Sequence, residues 1–501
     1  MAGSTASQEE RDAKDQAYYE GSKALPGRAE QLAVRERLTP DSMGMMLVMV
    51  GLPARGKSFI SRRLERFLQW RGVQTKSFNV GRYRREATDV TLSGRSDFFD
   101  ASNKSAMEAR EGAALAALRD AMKFLDEGGG IAILDATNSS RARRKLIAEK
   151  VEESREASQR RYSVLYVEAI CDDKRLLEAN MRGKVSNSPD FAHLDDSEAL
   201  ADLRLRIRKY EDVYETVEDG EGPFIKLFNL SSKVMANHCY GRVAKSVLPY
   251  LMAIHIGARP VWLSRAGAGD RTEAAEASAA SWRGAGLSQA GQDYAVQLAK
   301  FIKRRAGNYW TAAGKPDEED VHVVTSTMPR AMASVSYAPL SYEQTSALNP
   351  IDKGTLSNDW WTVRDDAELP PWDELERSHS AFMEQFRADP VGCRFPGGES
   401  YKDVIQRLES LLLEVEMCTR PVFIVSHLTV LQLLLAYFRG LPVEAAWRLP
   451  VPRNAVFEVT PTSGGSFSCE EHRLLASGPA ETPADDGIHA KRQRMIDRQS
   501  S

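Results

Sequence analysis

The chain has 501 residues, which is too long for one hydrophobic core, and this length predicts two to four domains. A hydrophobic content of 42%, a charged content of 27% and a formal net charge of -3 are those of an ordinary globular protein and exclude a general attraction to nucleic acid or to an anionic membrane. The five cysteines show no CxxC spacing, which argues against a zinc site or a disulfide framework and favours a reducing compartment such as the cytoplasm.

The two ends of the chain differ in composition from its middle. Residues 1–42 are polar and charged and predict a flexible extension, whereas residues 471–501, rich in Pro, Ala and charge, predict a disordered tail. Between them lie two stretches of alternating strand and helix patterns, which predict α/β architecture with parallel sheets. A helical pattern gives way to Gly and Pro in AIHIGARP, so we assign one domain to residues 43–255 and a second to residues 256–470.

The strongest signal in the chain is a phosphate-binding loop. Residues 45–50 form a continuous apolar run, as in a buried parallel strand, and GLPARGKS follows with the spacing GxxxxGK[ST]. In such a loop the backbone N–H groups face phosphate oxygens, Lys57 neutralises the β- and γ-phosphates, and the Ser58 hydroxyl ligates Mg²⁺. A turn that binds nothing is the alternative, which the strand before it and the apolar helix face after it disfavour. The predicted ATP-binding residues of the loop are Gly51, Leu52, Pro53, Ala54, Arg55, Gly56, Lys57 and Ser58.

A carboxylate stands at the end of a second apolar strand, in GGGIAILDATNSS. Asp135 occupies the position at which P-loop proteins place a carboxylate that faces magnesium. The alternative is that Asp135 caps the next helix. The P-loop upstream favours the first interpretation, so we predict Ser58 and Asp135 as the metal ligands.

Arginine clusters in a chain without basic excess indicate an anionic second substrate. They lie at residues 81–86, 108–112, 139–144 and 203–210. Most surface arginines only solvate a helix face, and this remains the alternative for each of them. A phosphorylated acceptor nevertheless requires several arginines, because guanidinium groups pair bidentately with phosphate.

An ordered set of motifs carries a resemblance to a known family. Six motifs follow one another along the chain: VMVGLPARGKS, FNVGRYRRE, LDATNSSRARR, CDD, NMRGKVSNSPDF and RIRKYEDVYE. Their order resembles that of the 6-phosphofructo-2-kinase/fructose-2,6-bisphosphatase family, and the match covers residues 45–255. The resemblance implies a P-loop kinase in which ATP, with Mg²⁺ as cofactor, donates a phosphoryl group to the 2-hydroxyl of fructose 6-phosphate. It also implies a homodimer as the common state of such proteins.

The same resemblance implies the residues of the kinase site. It places Asn180 in a second ATP-binding segment and gives Asp135 and Cys171 the positions usually called catalytic. We expect Cys171 to be a packed thiol near the site, with no chemistry of its own. The positions that match binders of fructose 6-phosphate are Arg84, Arg110, Thr137, Arg143, Arg206 and Tyr210.

The chain departs from the family pattern at one catalytic position. In the family a lysine follows the matching asparagine by five residues, whereas this chain has Val185 there and Lys184 one place earlier. Because a shift of one residue on a loop can be absorbed, we expect Lys184 to substitute for the family lysine.

The second half resembles the family's bisphosphatase domain, which has a histidine phosphatase fold. The matching segments are VWLSRAG, GLSQAG, VVTSTMPRAMAS, LNPIDKG, FPGGESYKDVIQRLE and FIVSHLTVLQLLLAYF. In such enzymes the first strand ends Arg-His-Gly, and the imidazole is the nucleophile that becomes phosphorylated. Here alanine, Ala266, follows Arg265, and the acid that protonates the leaving oxygen is replaced by Pro350. Arg330 and His427 still match phosphate-binding positions, as does Arg265, although His427 is equally explained as a structural histidine.

These patterns lead to a specific expectation with two alternatives. We expect a monofunctional kinase that makes fructose 2,6-bisphosphate and carries a degenerate phosphatase domain. One alternative is a bifunctional enzyme in which another residue replaces Ala266. The other is a pseudo-enzyme whose second domain binds a sugar phosphate and regulates a partner.

Overall fold

The computed structural model describes residues 44–87, 96–100, 103–158, 162–230, 232–255, 257–269, 286–318, 320–354, 379–462 and 464–475. The predicted extension at residues 1–42 and most of the predicted tail lie outside these residues. The described residues form two compact units, the first drawn from Met1–Lys57 and Lys76–Pro249 and the second from Ser58–Thr75 and Tyr250–Ser501. Every helix within them is too short or too polar to cross a lipid bilayer.

The first unit is built around a six-stranded sheet with the order β2-β3-β1-β4-β5-β6. Its central strand β1 is buried along its whole length and pairs in parallel with both β3 and β4. A strand that is enclosed on both faces favours an unbroken apolar sequence, which explains the run in GMMLVMV. The strands are β1 Gly44–Val50, β2 Thr75–Asn79, β3 Ile131–Asp135, β4 Tyr162–Ile170, β5 Phe224–Phe228 and β6 Lys233–Asn237.

The helices of the first half follow the strands as expected for α/β architecture. The first of them begins at Lys57, directly after the glycine-rich loop, and its predicted apolar face is buried, with Ile60, Leu64, Phe67 and Leu68 at most 1% exposed. The helices are α1 Lys57–Trp70, α2 Val80–Ala87, α3 Lys104–Asp126, α4 Arg141–Ser158, α5 Lys174–Asn187, α6 Asp196–Glu211 and α7 Gly241–Ala253. Residues 58–70 of α1 belong to the second compact unit.

The second unit contains another six-stranded sheet, with the order β12-β11-β7-β10-β8-β9. Strands β7, β10, β8 and β9 run parallel, so their carboxyl ends lie at one edge of the sheet. The strands are β7 Val261–Arg265, β8 His322–Ser326, β9 Tyr342–Thr345, β10 Val422–Ser426, β11 Ala455–Pro461 and β12 Phe467–Arg473. The helices are α8 Gln289–Ala312, α9 Pro329–Val335, α10 Ser380–Ala388, α11 Tyr401–Met417 and α12 Leu428–Arg439.

The predicted fold class is confirmed, with one difference at the sheet edges. Strands β5 and β6 pair antiparallel, as do β11 and β12, and β11 also pairs antiparallel with β7. The first two pairs are each joined by only a few residues, and parallel pairing needs a crossover of a dozen residues or more. The final strand also runs to Arg473, three residues beyond the boundary drawn from composition at residue 470.

Candidate active sites

The predicted phosphate-binding loop has a backbone conformation that small residues adopt most readily. Gly51, Ala54 and Gly56 have φ values of 133°, 59° and 83°, outside the usual right-handed and extended regions. At Gly51 a Cβ atom would lie 2.4 Å from the carbonyl oxygen of Ala169, so a side chain is excluded there. The loop therefore curls tightly before α1 begins at Lys57, an arrangement that presents backbone N–H groups to an anion.

Lys57 is a buried cation whose charge depends on pH. It is 8% exposed, and its ammonium group donates a hydrogen bond to the carbonyl oxygen of Leu52 at 2.7 Å. Burial, followed by the charge of Lys184, lowers the pKa of Lys57 to about 7 against the opposing effect of Asp135. These mutual effects show that Lys57, Lys184 and Asp135 share one neighbourhood of the first unit.

We expect the affinity for ATP to fall as the pH rises above 7. Above that pH Lys57 must take up a proton to bind a polyphosphate, because the anion stabilises the charged form and raises the pKa. This single proton should raise the apparent Kd for ATP by about tenfold per pH unit between about pH 8 and 9. Titration with a fluorescent ATP analogue measures the dependence. Lys57→Arg is the control, because the guanidinium stays charged and should flatten the profile, and a flat wild-type profile would contradict the prediction.

Asp135 is the last residue of β3 and is 5% exposed. Asn79, at the end of β2, donates its side-chain N–H to Asp135 Oδ2 at 2.5 Å. Helix α4 begins only at Arg141, so Asp135 does not serve as its N-cap. Asn79 on the neighbouring strand thus orients this carboxylate, and the arrangement suits a metal ligand. Asn79 was not predicted, although it lies within the motif FNVGRYRRE.

The face of α5 explains the position of Lys184. Asn180 and Lys184 are one turn apart and both are partly exposed, whereas Met181 and Val185 are buried in a hydrophobic cluster with Phe191. A lysine at residue 185 would enter this cluster, and residue 184 lies on the face that carries Asn180. Burial and nearby charges lower the pKa of Lys184 to about 8.

Four predicted sugar-phosphate residues surround one aromatic ring, Phe99, which the sequence did not indicate. The guanidinium carbons of Arg206, Arg84 and Arg110 lie 3.6, 5.2 and 5.8 Å from the Phe99 ring centroid. The ring of Tyr210 lies 5.8 Å from it. Cations are attracted to the face of an aromatic ring, so Phe99 gathers groups that repel one another.

An unpredicted carboxylate holds two of these arginines. Asp190 accepts hydrogen bonds from Arg84 at 2.6 Å and from Arg206 at 3.1 Å, and Arg85 donates another at 3.2 Å. Burial alone would raise the pKa of Asp190, but the charges of Arg206 and Arg84 lower it to about 2. Asp190 therefore stays ionised and fixes the guanidinium groups of both predicted substrate ligands. It lies in the quoted motif NMRGKVSNSPDF, yet nothing local distinguishes it from a surface carboxylate.

The remaining predicted substrate residues lie around these groups. The Thr137 carbonyl accepts the backbone N–H of Gly51 at 2.9 Å, which ties the end of β3 to the phosphate-binding loop. Arg143 is half-buried, and burial lowers its pKa against the charge of Glu111, while the nearby charge of Arg110 also lowers it. Five of the six predicted fructose 6-phosphate residues thus lie near one another, and Thr137 lies beside the loop.

Cys171 behaves as a packed thiol. It follows β4 directly, is 7% exposed, and its sulfur lies 3.8 Å from the carbonyl oxygen of Asp173. Burial, the largest influence, raises the pKa of Cys171 above its ordinary value. The thiol is therefore protonated at neutral pH, when a nucleophile would need the thiolate.

In the second unit, the predicted phosphatase residues gather where the parallel strands β7, β8 and β10 end. Arg265 ends β7 and donates a hydrogen bond to the Val451 carbonyl oxygen at 3.0 Å. Ala266 follows, is 8% exposed, and its backbone N–H donates to the Ser426 carbonyl oxygen at 2.9 Å. The position of the family nucleophile is thus held by the main chain and carries only a methyl group.

His427 is the histidine retained at this edge, and both of its ring nitrogens are engaged. Arg330 Nη2 lies 3.2 Å from Nδ1, and Ser326 Oγ lies 2.8 Å from Nε2. A guanidinium group can only donate, so Nδ1 accepts and the proton resides on Nε2. His427 is 1% exposed and fixed in this tautomer, which makes it a poor replacement nucleophile. Ser326, which fixes the second nitrogen, was not predicted.

Pro350 occupies the position of the family's acid. It lies just after the short helix Ser346–Leu348 and is partly exposed, and its carbonyl oxygen accepts a hydrogen bond from Arg407 Nη2 at 3.2 Å. A pyrrolidine ring has no proton to donate to a leaving alkoxide. The structure therefore places the predicted degenerate residues together, with neither nucleophile nor acid at the expected positions.

Known proteins resemble both halves of the chain. A family model described as 6-phosphofructo-2-kinase matches residues 36–258, and one described as the histidine phosphatase superfamily (branch 1) matches residues 261–473. The chain is 35% identical to a 6-phosphofructo-2-kinase/fructose-2,6-bisphosphatase of Aquarana catesbeiana, over 84% of this chain and 83% of that protein. A protein of the same name from Gallus gallus is 35% identical over 90% of this chain and 88% of its own. The alpha-ribazole phosphatase of Shigella flexneri is similar in structure, with a TM-score of 0.31 and 18% identity over 44% of this chain and 100% of that one.

Proposed function

The chain belongs to the 6-phosphofructo-2-kinase/fructose-2,6-bisphosphatase family, and from that premise we propose that it transfers the terminal phosphoryl group of ATP to the 2-hydroxyl of fructose 6-phosphate. One observation carries the proposal. Ala54 of the phosphate-binding loop is buried in one hydrophobic cluster with Met181 of α5, the helix that carries Lys184, and with Leu203 of α6, the helix that carries Arg206. This packing supports a phosphoryl donor at the loop and an anionic acceptor at the arginines that meet beside Lys184.

Positioning and charge neutralisation carry most of the rate in phosphoryl transfer, because the transition state is loose and its charge is spread over oxygens. Lys57 binds the β- and γ-phosphates, and Lys184 adds positive charge on the side of the acceptor. Arg84, Arg206 and the residues around Phe99 hold the 6-phosphate of the sugar and orient its 2-hydroxyl.

The residues present fit Mg²⁺ because they offer oxygen ligands, which this ion prefers. Asp135 is a buried carboxylate that receives a hydrogen bond at Oδ2, and Ser58, the second residue of α1, supplies a hydroxyl. When bound, the metal neutralises charge on the phosphates of ATP. Asp135 either holds the metal or accepts the proton of the sugar hydroxyl.

The proposal is tested by supplying ATP, Mg²⁺ and fructose 6-phosphate to the purified chain. The expected product is a bisphosphate that releases one phosphate in mild acid, because a phosphate on the anomeric carbon is acid-labile. ATP consumption that does not depend on fructose 6-phosphate would contradict the assignment of the acceptor. Absence of any turnover would contradict the kinase assignment itself.

We also propose that the second domain has no phosphatase activity. Ala266 cannot form a phosphohistidine, Pro350 cannot protonate a leaving group, and both nitrogens of His427 are engaged. The bifunctional alternative requires another nucleophile in place of Ala266. A single-turnover assay with fructose 2,6-bisphosphate distinguishes the two, since sustained phosphate release would refute the loss of activity.

Replacement of Asp190 by asparagine should weaken the binding of fructose 6-phosphate specifically. Without the carboxylate, Arg84 and Arg206 repel each other and leave their positions, so we expect the KM for fructose 6-phosphate to rise by about tenfold or more. The KM for ATP should stay within about twofold, because the loop at Lys57 does not depend on Asp190.

The control for this variant is Glu86→Gln, on helix α2, which also carries Arg84. Glu86 is exposed, and its Oε1 lies 2.8 Å from Arg82 Nε. Steady-state kinetics are measured for both substrates, well below the unfolding temperature of each variant. An equal rise in both KM values would show that Asp190 maintains the fold of the unit rather than the sugar-phosphate site.

A further inference from the structure

The helix that begins at the phosphate-binding loop is built into the second compact unit. Lys57 is its first residue, and Ser58–Thr75 belong to the unit that also contains Tyr250–Ser501. Within this unit the ring of Phe67 stacks on Tyr250, with centroids 4.2 Å apart and planes within 8°. One turn further along, Trp70 Nε1 donates a hydrogen bond to the Leu433 carbonyl oxygen at 2.9 Å.

A buried ion pair lies at the centre of this attachment. Arg63 Nη1 is 3.2 Å from Glu416 Oε1, and the two side chains are 2% and 4% exposed. Tyr437 donates its hydroxyl to Glu416, and the hydroxyl of Tyr250 lies 2.9 Å from that of Tyr437. The ring of Phe467 covers the guanidinium at 4.1 Å. A buried ion pair needs such close partners, because removing either charge leaves the other without compensation.

Further contacts fix the same helix at its edges. Arg62 donates to the Gly464 carbonyl oxygen at 2.7 Å, and Arg66 donates to that of Gly465 at 3.1 Å. Just after the helix ends, Arg71 Nε lies 2.9 Å from Glu409 Oε2. Contacts on successive turns determine both the rotation of α1 about its axis and its position along that axis.

We propose that Glu416, a residue of the degenerate phosphatase domain, is a positioning residue for the kinase reaction, acting through Arg63 and α1 on Lys57. The inference rests on the proposed kinase function. Arg63 is six residues from Lys57, about 9 Å along a rigid helix, so a rotation at Arg63 is passed on to the ammonium group. An error of about 1 Å in a group that contacts the reacting phosphates can cost about 10²-fold in rate.

This role gives the second domain a mechanical task that does not require its lost chemistry. Glu416 lies on α11 and Tyr437 on α12, and neither belongs to the group of Arg265, Ala266 and His427. The loss of nucleophile and acid therefore leaves the attachment of α1 intact. The kinase then depends on the fold of the second domain and not on its former active site.

The test compares Glu416→Gln with Glu458→Gln. Glu416→Gln leaves Arg63 buried without a counter-charge. Glu458→Gln removes a carboxylate of the same unit, whose Oε2 lies 3.0 Å from Arg305 Nη2 and whose side chain is 15% exposed. We expect Glu416→Gln to lower kcat by about fivefold or more and to weaken ATP binding, with the KM for fructose 6-phosphate within about twofold of wild type. The control variant should keep the wild-type kcat, ATP affinity and KM for fructose 6-phosphate.

Binding of a fluorescent ATP analogue is measured alongside turnover, so that this inference can fail separately from the kinase assignment. Inactive wild-type protein would overturn the proposed function, whereas the ATP affinities of the two variants would still test the position of Lys57. Wild-type kcat and ATP affinity in Glu416→Gln, or equal changes in both variants, would overturn the positioning role. If Glu416→Gln does not fold, Tyr437→Phe removes the hydroxyl that hydrogen-bonds to Glu416 and Tyr250 but keeps the ion pair, and it is judged by the same criteria.

Discussion

Replacement of Lys57 by alanine is expected to lower the kcat for fructose 2,6-bisphosphate formation by about 10²- to 10³-fold. In the proposed mechanism Lys57 contributes its charge where negative charge develops on the transferred group. Arg55 is the other positively charged residue of the loop 51–58. Arg55 is 9% exposed and engaged elsewhere, since its Nη1 donates to the Pro53 carbonyl oxygen at 3.2 Å and its Nη2 lies 3.7 Å from Glu211 Oε1. It is therefore poorly placed to compensate.

The fold should survive this change, because a buried ammonium with a lowered pKa stabilises the fold little. The hydrogen bond from Lys57 to the Leu52 carbonyl oxygen at 2.7 Å is local to the loop. Lys145→Ala, at a side chain that is 75% exposed on α4, is the matched control and should keep full activity. Turnover is measured together with the thermal unfolding temperature. Undiminished turnover in Lys57→Ala would count against the phosphate-binding assignment, and lost activity with an unfolded protein would require Lys57→Met instead.

Features that depend on neighbours in sequence could be predicted. The apolar run before GLPARGKS gave the buried strand β1, and Asp135 ends β3 as expected. The apolar runs at residues 261–263 and 422–425 lie in the core strands β7 and β10. In each case the pattern reflects burial of the element itself, so a short window of sequence contains the necessary information.

Features that depend on distant residues could not be predicted. Asp190 meets Arg84 across 106 positions, and Ser326 meets His427 across 101. Arg63 meets Glu416 across 353 positions. A lone Asp, Ser or Glu in a polar motif gives no sign of such a partner, because the ion pair exists only once the sheets have formed. The resemblance to a family supplied the roles of single residues but not the contacts that hold them.

At Lys184 the chain forms a helix, whereas the sequence had suggested a loop. The family lysine was expected to be replaced by Lys184 through a shift absorbed in a loop, but residues 174–187 form helix α5. On a helix a shift of one position rotates a side chain by about 100°, so the two candidate positions face different surroundings. Val185 is 8% exposed in the hydrophobic cluster, and Lys184 shares its face with Asn180.

The double variant Ala266→His/Pro350→Glu should restore phosphate release from fructose 2,6-bisphosphate, and Ala266→His alone should not sustain it. An imidazole at residue 266 can attack phosphorus, with the sugar hydroxyl as the leaving group. Without an acid that leaving oxygen departs as an alkoxide, and a positioned acid is worth about 10²- to 10⁴-fold.

We therefore expect the double variant to release phosphate at least about a hundredfold faster than the wild-type chain and faster than Ala266→His alone by a similar factor. Ala266 is 8% exposed and packs against a hydrophobic cluster, so an added ring must displace neighbours. Ala266→Asn/Pro350→Glu controls for this, because asparagine adds a polar side chain of intermediate size without a nucleophilic nitrogen.

Acid-labile phosphohistidine and inorganic phosphate are measured in single turnovers. Sustained phosphate release by Ala266→His alone would show that a group other than residue 350 protonates the leaving oxygen. Phosphate release by Ala266→Asn/Pro350→Glu would show that residue 266 is not the nucleophile.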